Sequence, residues 1–112
     1  MTGPDWLSRV RHDLVKRLLW PARDRRDMGG RPAAGELVPS LCDDEGGPTT
    51  AGALWAALRA EAPAAAPAAA LDDFGAAVAA ASAAASAGDV AGVLNLEGAF
   101  TALAASLEQR KR

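Results

Sequence analysis

A chain of 112 residues carrying a formal net charge of −2 has room for one domain, and its core is too small to enclose a deep catalytic pocket. Apolar residues make up 50% of it, but much of that share is alanine, and with no Ile or Tyr the strand formers are too scarce for a sheet protein; the expected class is all-α. The single cysteine, Cys42, excludes an intramolecular disulfide and makes a reducing cytoplasm the expected location.

In chain order, Thr2 and Asp5 stand in the spacing of a capping box, with Pro4 tolerated in the first turn, so a helix should start there. At about 100° per residue, Trp6, Leu7, Val10, Leu14 and Leu18 form one core-facing stripe, while Arg9, His12 and Lys16 share another face. Charged residues interrupt every apolar run from Trp6 to Trp20, so no secretory segment is expected. Pro21 should end this helix near Trp20 or kink it into the charged run Ala22 to Asp27. Residues 1–27 thus make a basic amphipathic helix.

Residues 28–48 carry Gly29-Gly30, Pro32, Pro39, Gly46-Gly47 and Pro48, with Leu37, Val38 and Leu41 as apolar islands; they are expected to be a Gly/Pro-rich linker. The helical region 49–112 follows. Thr49 or Thr50 should cap a short helix in which Leu54, Trp55 and Leu58 share a face before Pro63 stops it. Leu71, Phe74, Val78, Ala81 and Ala85 then alternate steps of three and four residues, and Val93, Leu96, Phe100, Leu103 and Leu107 do the same. Gly88 suits a helix end and Asp89 the next N-cap, so the two arms, 67–87 and 89–110, should fold back as a C-terminal antiparallel αα-hairpin. The least polar window, Gly75 to Val93, is mostly alanine and contains Asp89, and no membrane span is expected.

Charge is unevenly distributed. Residues 1–32 hold eight basic against four acidic side chains, whereas residues 33–109 hold only Arg59 against ten acids, and Arg110-Lys111-Arg112 close the chain. A basic head on an acidic body either recruits an anionic partner or docks on its own acidic half. The heavy use of Ala, Gly, Arg, Asp and Pro with only two Lys points to a GC-rich, bacterial source.

Site chemistry is thin. Arg11-His12-Asp13-Leu14 resembles the phosphoacceptor box of histidine kinases and phosphotransfer proteins over four residues, but Val15-Lys16-Arg17 departs from its continuation. Ala87-Gly88-Asp89 before Val93 and Leu96 is similar to a tetratricopeptide-type turn, yet one hairpin is no repeat array. One His and one Cys do not make a zinc site, Asp43-Asp44-Glu45 lacks the alternating pattern of a calcium loop, and Cys42 has no neighbouring base. No catalytic residue, metal or cofactor is therefore expected, and the protein is not read as an enzyme. The functional expectation falls on the first helix: Trp6 and Trp20 as anchors, with Arg9, Arg11, Lys16, Arg17, Arg23, Arg25 and Arg26, resemble the composition of interface hot spots. This predicts a small accessory subunit or adaptor that binds a larger protein. The alternative is an anionic surface, with peripheral membrane contact ahead of nucleic acid, since Asp5, Asp13, Asp24 and Asp27 dilute the charge. The hairpin offers a further surface for self-association.

Overall fold

A computed structural model describes residues 3–33 and 35–109. Thr2, the expected first cap, and the basic tail 110–112 lie outside the described residues, as does Ala34. The chain is mostly helical, with one small antiparallel strand pair: α1 (Gly3–Val10), a π-helical turn (Arg11–Val15), α2 (Lys16–Met28), β1 (Leu41–Cys42), β2 (Pro48–Thr49), α3 (Ala51–Ala60), α4 (Ala68–Ala87), α5 (Val90–Leu94) and α6 (Leu96–Gln109).

The first three elements are one continuous helix. Trp6, Val10, Leu14, Leu18 and Ala22 are spaced by four and are all fully buried. In a regular α-helix each four-residue step overshoots a turn by about 40°, so such a row drifts off its face. The π turn, in which Lys16 N–H donates to the Arg11 carbonyl five residues back, contains more residues per turn and takes back part of that drift. It also brings Val15 and Leu19 into the core beside the row.

Pro21 does not end this helix: α2 runs on to Met28. Proline removes one backbone donor, but burial of Ala22 and an Arg23–Glu97 ion pair of 2.6 Å tie the segment beyond it to the body of the protein. The helix stops at Gly29, whose φ of 75° lies where only glycine sits without strain; its N–H closes on the Arg25 carbonyl.

The expected linker is ordered in part. Leu37 and Leu41 are buried, and β1 and β2 pair antiparallel with Leu41 opposite Thr49 and Cys42 opposite Pro48. Their turn is built on Asp43, whose carboxylate accepts from the N–H groups of Glu45 (3.0 Å) and Gly47 (2.9 Å), while Gly46 supplies the positive φ. The acidic cluster is thus first of all a turn, and the fold is helical with a β-ribbon rather than helical throughout.

Helix α3 is capped by Thr50, whose hydroxyl accepts from Ala53 N–H, and it buries Leu54, Trp55 and Leu58 as its spacing requires. The C-terminal hairpin has its turn at Gly88, in the left-handed conformation, and Asp89, which caps α5 through Gly92 N–H. The two arms face each other through Leu71, Phe74, Val78, Ala81 and Ala85 on one side and Val93, Leu96, Phe100, Leu103 and Leu107 on the other, all buried. Gly92 permits close approach here: a Cβ on it would sit 2.7 Å from that of Ala84.

An aromatic chain joins α1, α3, α4 and α6. Trp6 lies 6.0 Å from Trp55, Trp55 packs edge-on to Phe74 at 4.8 Å, and Phe74 meets Phe100 at 6.3 Å between ring centroids. By length and composition alone, Ala68–Ala87 and Val90–Glu108 are apolar enough to cross a membrane, with mean hydropathies of 1.2 and 1.5. The single window read from the sequence is split by the Gly88-Asp89 turn, and the large side chains of both arms point into their shared core.

Candidate functional site

The nine residues singled out on the first helix separate into an inward and an outward set. Trp6 is fully buried, and its indole N–H donates to the Leu58 carbonyl at 2.7 Å, so it is a core anchor with no surface to offer a partner. Arg9 leaves the face of His12 and Lys16 and turns to the acidic half, bonding Asp44 at 2.7 Å and Asp13 at 3.4 Å and pairing with Glu61. The hydrogen bond and charge of Asp44, backed by the charge of Glu61, outweigh the desolvation of Arg9 and raise its pKa above the ordinary value.

Arg11 covers Phe100, with its guanidinium carbon 5.8 Å from the ring centroid. Arg23 donates to Glu97, and that hydrogen bond, with the Arg23 charge, holds the Glu97 carboxyl below its ordinary value. Arg25 clamps the segment after the helix, donating to the Arg31 carbonyl at 2.5 Å and pairing with Glu36, which in turn accepts from Ala33 N–H. Arg26 leans on its neighbour Asp27. Four of the eight basic side chains of the head, Arg9, Arg23, Arg25 and Arg26, are therefore spent on the chain's own acids and carbonyls.

Lys16, Arg17 and Trp20 remain. Lys16 and Arg17 are exposed and their side chains, among the described residues, make no ion pair or hydrogen bond. Trp20 is 65% exposed, a large apolar surface in open solvent on the side of α2 away from the buried Leu18, Leu19 and Ala22; Met28, at the end of the same helix, is exposed as well. Shallow depressions lie on either side of its ring. The upstream one is lined by His12, Asp13, Lys16 and Arg17; the downstream one by Lys16, Arg23, Asp24 and Asp27. This ridge, from His12 to Asp27, is the candidate site.

His12 is exposed, but Asp13, the acid that would orient its ring in a phosphoacceptor box, is engaged with Arg9. Cys42 is exposed on the ribbon, and among the described residues no group of three or more His, Cys, Asp or Glu is placed to hold a metal. A separate depression between the ribbon and α3 is lined by Arg9, paired with Asp44, by Asp43, whose carboxylate holds the ribbon turn, and by Glu45. The π turn is what separates the two tryptophans: it keeps Trp6 in one buried row with Val10, Leu14, Leu18 and Ala22, and Trp20 falls midway between the last two of these, on the other side of the helix.

No protein-family model matches the chain, and no match is found among curated proteins or among solved structures.

Proposed function

We propose that this protein is a non-catalytic, cytoplasmic accessory subunit or adaptor of bacterial type that docks on a larger protein through the ridge centred on Trp20. The observation that carries this reading is the exposure of Trp20 beside two unpaired cations, Lys16 and Arg17, since aromatic and basic side chains of this kind dominate interface energetics. The residues that bind are narrowed to Lys16, Arg17 and Trp20; Trp6 and the paired arginines position the helix that presents them. An anionic surface is less favoured, because Asp24 and Asp27 share the ridge and repel phosphate.

Affinity capture from the native host with wild type and Trp20→Ala tests the reading. It calls for a stoichiometric protein partner that is retained by wild type, lost by Trp20→Ala and insensitive to moderate salt. No partner, or one that binds both proteins equally, contradicts it. Retention on anionic vesicles or DNA that collapses as salt rises would replace it with the surface-binding alternative.

A further inference from the structure

In a regular α-helix successive side chains are turned by about 100°. Laid out at that interval, the buried row from Trp6 to Ala22, with Val15 and Leu19, would spread over about 220° of the helix surface, too wide for one side. Asp24, eighteen positions after Trp6, would come directly into line with it, and Trp20 would lie only about 40° away. With α1 seated as it is, an unbroken helix would turn Trp20 and Asp24 toward the core and Leu19 and Ala22 toward solvent.

Removing one residue within Arg11–Val15 resolves the conflict. Without His12, and with the helix regular throughout, the same buried side chains fall within about 140° of one another, the arc of an ordinary amphipathic helix. Trp20 and Asp24 then come out on the opposite side, where the structure has them exposed. The helix shortens by no more than one residue's rise, about 1.5 Å. The full-length chain reaches a similar arrangement by winding Arg11–Val15 as a π turn. Of these residues His12 has the least to lose. Its side chain is exposed and makes no ion pair or hydrogen bond among the described residues, whereas Arg11 covers Phe100, Asp13 bonds Arg9, and Leu14 and Val15 are buried.

We infer that the π turn is a register device: it takes up one residue more than an α-helical path from Trp6 to Ala22 requires, and in doing so keeps the apolar row inside and the Trp20 ridge outside. The inference concerns the chain alone and does not depend on a partner.

Three variants of the full chain, compared with wild type by circular dichroism and thermal melting, test it. His12→Ala keeps the residue count and should melt within about 4 °C of wild type, as exposed substitutions do. Deletion of His12 should melt in that same range or higher, with full helix content and with the readily quenched Trp20 emission retained. Insertion of one alanine after His12 adds a second surplus residue that one π turn does not absorb, and should lower the melting temperature by about 10 °C or more. A deletion variant that unfolds well below His12→Ala, or that buries Trp20, overturns the inference. So does an insertion variant as stable as wild type, which would show the helix to be indifferent to its residue count.

Discussion

The two ends of the long N-terminal helix have the same kind of composition and opposite fates. Around α1, Trp6 is sealed into the core with its N–H on the Leu58 carbonyl, and Arg9 is shared among Asp13, Asp44 and Glu61. Around α2, Trp20 stands in solvent, and the side chains of Lys16 and Arg17 form no ion pair among the described residues. A Trp/Arg-rich helix is therefore not one kind of surface. Phase relative to the apolar row decides which tryptophan becomes core, and the acids folded alongside decide which cations are left for another molecule.

The largest expected effect separates the two tryptophans. Trp6→Ala removes a fully buried aromatic and its hydrogen bond, and should lower the unfolding free energy by about 3–5 kcal/mol in urea titration. Trp20→Ala, an exposed truncation, should stay within about 0.5 kcal/mol of wild type. Equal losses would erase the distinction between core and display.

Glycines sharpen the same contrast within the body of the protein. A Cβ on Gly75 would lie 2.8 Å from Trp55 Nε1, so Gly75→Ala should push on the aromatic chain and destabilise by about 1–3 kcal/mol. Gly98, on the solvent side of α6, has open space around it, and Gly98→Ala should stabilise by about 0.5–1 kcal/mol through helix propensity. Thermal melts of the two variants should therefore shift in opposite directions.

The smaller effects are electrostatic. Arg9→Ala breaks three partly exposed pairs at once and should cost about 1 kcal/mol, whereas Arg17→Ala, with no acid to lose, should cost nothing measurable. Glu97→Gln should cost no more than about 0.5 kcal/mol, because the pair with Arg23 is half exposed. Its pH dependence has a fixed sign. The folded carboxyl titrates below its ordinary value of 4.5, so its contribution is present above that value and is lost as pH falls through the folded pKa. The stability gap between wild type and Glu97→Gln should accordingly close on acidification.

Elements governed by local rules were legible in the sequence. The hairpin arms, their Gly88-Asp89 turn and the Thr50 cap follow from periodicity and capping chemistry that a few neighbouring residues carry. The β-ribbon was missed because its strands are two residues each and only Leu41 is buried; the Asp43 to Gly47 turn was its one strong signal. The passage of the helix through Pro21 depends on Ala22 and on Glu97, the latter 74 residues from Arg23. Likewise two of the three acids that engage Arg9 lie 35 and 52 residues away, and the near one, Asp13, is four residues from Arg17 as well, so no local pattern distinguishes it from the unpaired Arg17.

The most direct test of the central contrast is acrylamide quenching of tryptophan fluorescence in wild type and Trp20→Phe. Removing Trp20 should remove the red-edge, readily quenched emission. What remains, from Trp6 and Trp55, should be blue-shifted and resistant to acrylamide, since both are buried. If the remaining emission is as red and as quenchable as wild type, the N-terminal helix is not seated on the core and the division between its two ends does not exist.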